Sequence, residues 1–236
     1  MPLAKFSYQI LRGVAKLHIK VGEFLCLRYR TIWPLLHIDF YDNYFNLLDF
    51  FKRPHSLERY VLANMYLKSG GSVLDIGCGD GFGCVVLSRK ASQVLGVDRD
   101  KAALKIASSS APNNVRYAIC DLETPDQVSL PQPFDLITCF SVIQFLKKEA
   151  VDRLLNTVAN HLSANGGVFI GSTTLSGADD PYFVSGRHKS YYESVEAVKL
   201  LMHINSSSAE TIICDWGERT EIYFICTKQL STSDHH

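Results

Sequence analysis

The stretch Val73-Leu74-Asp75-Ile76-Gly77-Cys78-Gly79-Asp80-Gly81 constrains the fold of this chain more than any other. A short apolar segment of strand type runs into a turn with glycine at every second position, and a helical pattern follows. Glycine lets the backbone pass close against a ligand, because a Cβ at Gly77 or Gly79 would occupy that space. A second apolar segment, Val94-Leu95-Gly96-Val97, ends on Asp98, 23 positions after Asp75. A glycine turn after one strand and a carboxylate at the tip of the next together make a nucleoside site in an open α/β sheet.

The pattern is not that of a dinucleotide site. The fingerprint G-x-G-x-x-G uses its third glycine to bring helix and strand together, and counting from Gly77 that position holds Phe82. The chain reads G-x-G-x-G-x-G instead, through Gly77, Gly79, Gly81 and Gly83. Asp75, just before the turn, would repel a pyrophosphate but suits a ligand carrying an ammonium group and a sulfonium. Both features favour S-adenosylmethionine over NAD.

Val73 to Gly81, followed by Gly96-Val97-Asp98, resembles the class I S-adenosylmethionine-dependent methyltransferases. Cys120-Asp121-Leu122 after the third strand and Phe134-Asp135-Leu136-Ile137 opening the fourth follow in that family's order. Phe140-Ser141-Val142-Ile143-Gln144-Phe145-Leu146 is similar to its S-x-x-x-H-L segment, with Phe145 in place of the histidine. Leu162-Ser163-Ala164-Asn165-Gly166-Gly167 resembles its L-K-P-G-G turn before strand five. Several motifs in order are far more specific than one glycine turn.

The resemblance implies an α/β fold: a Rossmann-like, mostly parallel seven-stranded sheet with an antiparallel edge hairpin and helices on both faces, here with extra N-terminal helices. It assigns cofactor contacts to Asp75, Gly77, Cys78, Gly79, Asp98, Arg99, Asp121, Leu122 and Ser141. Asp98 is expected to accept both ribose hydroxyls; the alternative is capping of the next helix, for which Asp100 is better placed. Asp75 either engages the amino end of the cofactor, directly or through water, or caps the turn. Asp121 either accepts the adenine amino group, with Leu122 offering backbone contact, or is a solvated loop acid. Ser141 either presents main-chain groups near the cofactor amine or is only a small residue where strand becomes loop.

Composition narrows the partners. Lys+Arg and Asp+Glu are both 24, a formal charge of zero, whereas proteins that hold nucleic acid through its phosphates usually carry a basic surplus. Nucleic acid is therefore disfavoured, and a small-molecule acceptor is expected. The seven cysteines include no C-x-x-C pair and are odd in number, which reads as thiols in a reducing, cytoplasmic setting. No run of about 18 apolar residues is present to span a membrane. No metal box or Ser-His-Asp array is found.

Strands are expected near 72–77, 93–97, 114–118, 134–140 and 166–172, with helices near 81–91, 100–110 and 147–163. Val151, Leu154, Leu155, Val158, Ala159 and Leu162 mark the last of these helices. A Gly/Asp/Pro loop, a helix near 190–203 and two strands near 209–214 and 221–227 complete the pattern. The link between those two strands is too short for a crossover helix, so they pair as a hairpin. These readings divide the chain into a helical extension at 1–68, a cofactor-binding domain at 69–228 and a disordered tail at 229–236.

Leu3, Phe6, Ile10, Val14, Leu17, Val21 and Phe24 form one apolar stripe interspersed with Lys5, Arg12, Lys16 and Lys20. Such a helix either packs on the domain or lies peripherally on an anionic membrane. Aromatics follow, among them Tyr41 and Tyr44, either as substrate-lining or as packing residues. Acceptor contacts are expected from residues 172–192, at the carboxyl end of strand five. Tyr182 and Tyr191 are substrate candidates there, and His188, the only histidine of that segment, is either a general base or a surface residue.

The chemistry expected is in-line displacement of a methyl group from a sulfonium carbon onto a sugar, lipid-linked or phenolic hydroxyl. A sulfonium is an activated leaving group, so alignment and exclusion of water carry most of the work. The other reading is a cofactor-binding, non-catalytic partner subunit of a methyltransferase complex.

Overall fold

Strands buried on both faces read as nearly continuous apolar runs, and Leu136–Phe140 is such a strand, with every residue buried. The computed structural model describes residues 39–40, 45–46, 54–109, 111–124, 133–195, 198, 208–215 and 220–227. The chain divides into two compact units, Met1–Tyr66 and Leu67–His236. In the first, Asp39–Phe40 pairs antiparallel with Phe45–Asn46, and a helix, α1, spans Pro54–Tyr66. The basic stripe before Phe24, Tyr41, Tyr44 and the 229–236 tail lie outside the described residues.

The second unit is built on seven strands: β1 (Ser72–Ile76), β2 (Gln93–Asp98), β3 (Val115–Ile119), β4 (Leu136–Phe140), β5 (Val168–Thr174), β6 (Ser208–Asp215) and β7 (Thr220–Thr227). They lie in the order β3-β2-β1-β4-β5-β7-β6. The pairings β1–β2, β1–β4, β2–β3 and β4–β5 are parallel, while β7 runs antiparallel to both β5 and β6. The expected hairpin thus inserts its second strand into the sheet and leaves its first at the edge. The strand order reverses between β1 and β4, and ligands of open α/β sheets bind at such a switch point.

Helices α2 (Phe82–Ser88), α3 (Lys101–Ser109) and α4 (Lys148–His161) connect the parallel strands. Successive strand residues point to opposite faces. On β1, Asp75 accepts from the Cys84 thiol of α2, while Leu74 and Ile76 join the cluster formed with Ala150, Val151, Leu154 and Val158 of α4. α4 buries those residues and exposes Asp152, Asn156 and Asn160, the period of one apolar stripe. Asp100 caps α3: its Oδ1 accepts from the amides of Ala102 and Ala103 at 2.8 and 3.1 Å.

Two expectations change beyond β5. The Gly/Asp/Pro loop contains a one-turn helix, α5 (Pro181–Val184), with Asp180 accepting from the Tyr182 amide at 2.7 Å and proline in its first turn. The helix expected from 190 does not start there. Lys189 and Ser190 donate their amides to the Gln144 carbonyl, and Tyr192 accepts from the Ser176 amide. Those cross-chain bonds hold residues 190–194 outside helix geometry, and most of the remaining span lies outside the described residues.

Leu154 is fully buried in the α4 cluster. Leu154→Ala is expected to destabilise the protein by about 2–5 kcal/mol through lost burial and the cavity left behind. Urea unfolding measures this, and an unchanged midpoint would contradict the packing described.

Candidate active site

The turn after β1 is stitched to the end of β2 by backbone donors. The amides of Gly77 and Cys78 both donate to the Val97 carbonyl, at 2.8 and 3.1 Å. The Gly79 amide donates to Asp98 Oδ2 at 2.8 Å, and the Asp100 amide to Oδ1 at 2.9 Å. Asp98 is half-buried, and a carboxylate offers about four lone-pair positions. Each oxygen can therefore hold its amide and still accept a hydroxyl. Arg99, beside it, is exposed.

The glycines of the turn do not all serve one purpose. Gly77, at φ 73°, has Val142 against it, so that a Cβ there would collide with the valine Cγ2. Gly81 is closed off by the Tyr117 ring, which reaches across from β3, and by Ala107. Only at Gly79, at φ 55°, would a Cβ find no atom within 4 Å. The open space beside Asp98 is at Gly79, while the space next to the Gly77 Cα is taken by Val142.

Asp75 is 1% exposed. Its Oδ1 accepts from Thr138 Oγ1 at 2.7 Å and its Oδ2 from the Cys84 thiol at 3.4 Å. The sequence leads one to expect this carboxylate at the amino end of the cofactor, or capping the turn; the structure places it inside the sheet–helix layer, where Thr138 and Cys84 donate to it. A hydrogen bond with Cys78, burial and the Asp75 charge push the Cys84 thiol well above its usual pKa, and burial with the same charge does so for Cys139. Both therefore stay protonated, which keeps Cys84 a donor to Asp75.

Asp121 Oδ1 accepts from the Glu123 amide at 3.0 Å, and the Asp121 carbonyl accepts from Thr124. Asp121 and Leu122 border an apolar hollow with Leu74, Ile76, Val97 and Cys120. Burial raises the pKa of Glu123, but its hydrogen bond from the Lys147 amide and the Lys189 ammonium at 3.1 Å outweigh that, and the group ends below its ordinary value. Glu123 thus fastens this loop to both the start of α4 and the loop after β5.

Ser141 leaves β4 at φ 55°, the only positive value outside glycine among the described residues. Its amide donates to the Ser172 carbonyl at 3.0 Å, and its hydroxyl to Glu221 Oε1 at 2.7 Å. Ser172 donates to the same oxygen at 2.9 Å. Glu221, at 0% exposure, escaped the reading of the sequence. The only signal for it was one charge at the start of an otherwise apolar strand.

Of the acceptor candidates, Tyr182 and Tyr191 are exposed, and the Arg187 guanidinium lies 5.2 Å from the Tyr182 ring centre. His188, read from sequence as a polar-loop residue, is buried at 7% exposure, its ring 5.0 Å from Phe145 and 5.2 Å from Tyr182. Phe145 is the residue in the histidine place of the strand-four segment, and the structure stacks the loop histidine edge-on against it. Among the described residues, no group of three His, Cys, Asp or Glu side chains stands ready for a metal.

The glycine turn bonded to the carboxylate closing the second strand lies at the switch point of the parallel sheet, where ligands of open α/β sheets bind. The family profile for a methyltransferase domain matches residues 73–166, so this stretch is similar to methyltransferase domains. A Rickettsia prowazekii protein of uncharacterized function is 30% identical over 152 residues, 58% of this chain and 60% of that protein. The ubiquinone biosynthesis O-methyltransferase of Serratia proteamaculans is 29% identical over 126 residues, 50% of this chain and 51% of the enzyme. The matches thus span little more than half the length of these curated relatives. The fold matches the YcgJ protein of Bacillus subtilis with TM-score 0.58 at 17% identity, over 74% of this chain and 99% of that one. It also matches phosphoethanolamine N-methyltransferase 2 of Haemonchus contortus, with TM-score 0.57 at 18% identity over 69% and 50%.

The open position at Gly79 lies beside the Asp98 carboxylate, where the sequence leads one to expect the ribose of S-adenosylmethionine. Asp98→Ala is expected to cost at least about 2 kcal/mol in S-adenosylhomocysteine binding, the scale of a charge-assisted hydrogen-bonded pair. Isothermal titration reads this directly; an unaltered dissociation constant would place the nucleoside elsewhere.

Proposed function

We propose that this chain methylates a small molecule, at a sugar, lipid-linked or phenolic hydroxyl, using S-adenosylmethionine. The observation that carries the reading is the pairing of Asp98 with the Gly79 amide beside open space. The bound cofactor supplies a methyl group on a sulfonium, which needs no further activation to leave. Asp98 accepts the ribose hydroxyls, Asp121 and Leu122 receive the adenine, and the main chain at Ser141 receives the amino end.

Acceptor binding is assigned to the loop after β5, where Tyr182 and Tyr191 are exposed. His188 takes the proton of an acceptor hydroxyl only if the Phe145 and Tyr182 rings part from it, so alignment and exclusion of water dominate. The zero formal charge supports a small-molecule acceptor over nucleic acid. The similarity to ubiquinone biosynthesis O-methyltransferases favours a phenolic hydroxyl among the three. The free thiols of Cys78, Cys84, Cys120, Cys139 and Cys226 support a reducing, cytoplasmic setting. Among the described residues no helix is long and apolar enough to cross a membrane. The peripheral membrane contact suggested by the basic stripe belongs to residues outside those described.

The test is transfer from tritiated S-adenosylmethionine by the purified full chain. Label is expected on sugar, lipid-linked or phenolic acceptors; label on RNA or protein alone would overturn the acceptor class. Cofactor binding with turnover only after a second subunit is added would mean a non-catalytic partner instead.

A further inference from the structure

Glu221 is a fully buried carboxylate that the proposed chemistry leaves unused. It stands on β7, the strand whose antiparallel course brings its first residues beside the carboxyl end of β5, with Glu221 opposite Thr174. One of its oxygens, Oε1, accepts the hydroxyls of both Ser141 and Ser172. Ser141 is held a second time, through its amide to the Ser172 carbonyl.

This clustering falls where the backbone is least at ease. A serine at φ 55° sits in a region that L residues seldom occupy and that persists only where the surroundings over-determine it. The next residue, Val142, packs against Gly77 of the cofactor turn. The conformation of Ser141 therefore sets both the direction of the β4 exit and the seat of the glycine turn. Ser72 and Asp135 make a comparable hydroxyl–carboxylate contact, at 3.1 Å, but at the opposite end of the parallel strands, where it touches no part of the site.

We propose that Glu221 is a positioning residue for the amino-acid end of the cofactor, fixing the Ser141 backbone that receives it. The inference rests on the cofactor placement given above. Glu221 touches no cofactor atom; it acts through Ser141 and Ser172. Its effect should therefore fall on the methionine portion and spare the adenosine.

The test compares two ligands on the full chain: S-adenosylhomocysteine, which carries the amino-acid tail, and 5′-methylthioadenosine, which lacks it. Glu221→Gln is expected to weaken the first roughly tenfold, the scale of one hydrogen bond to a charged group, and the second less than about twofold. Ser141→Ala, which removes the hydroxyl through which Glu221 holds this backbone and keeps Glu221 itself, is expected to show the same selectivity and to add little in the double variant. Equal weakening of both ligands would mean a purely structural role and overturn the inference, as would no change in either. If Glu221→Gln fails to fold, Ser141→Ala alone decides by the same comparison. Failure of the unmodified chain to bind S-adenosylhomocysteine would overturn the cofactor placement itself, a distinct outcome.

Discussion

The site depends on the carboxylate of Asp98 accepting the amide of Gly79. That bond joins the turn after β1 to the end of β2, and two more amides, from Gly77 and Cys78, reach the neighbouring Val97 carbonyl. Without these donors, a turn rich in glycine would have many accessible conformations, and its ordering would cost correspondingly more. With them, a backbone amide and a carboxylate meet at one place on the sheet edge. The parallel register of β1 and β2, from Ser72↔Gln93 to Ile76↔Val97, delivers both groups to the same height.

Much of the architecture was legible beforehand because local pattern and global fold agree. The α4 stripe, the short link between the last two strands and the Asp100 cap each have a local physical cause that a sequence displays. The strand spans were recovered to within about two residues, as boundary fraying allows. The one-turn helix at Pro181 was overlooked although Asp180-Pro181 is a helix start by both cap and proline rules.

What stayed hidden is set by partners distant in the chain. A glycine pattern cannot say whether the space above a Cα belongs to a ligand or to a side chain from another strand. Gly77 yields to Val142, Gly81 to Tyr117, and Gly79 alone to open space. In the same way Asp75, which stands next to the turn in sequence, alternates to the inner face of β1 and is spent on Thr138 and Cys84. His188 reads as a loop histidine until Phe145 and Tyr182 are seen around it.

The antiparallel insertion of β7 has a temporal side. Ser141 finds its carboxylate 80 positions later in the chain, after every parallel strand has left the ribosome. A nascent chain could assemble β1 to β5 and present the nucleoside end of the crevice, yet the β4 exit would still lack its anchor. The Ser141 anchor is thus completed only with translation of the last hairpin.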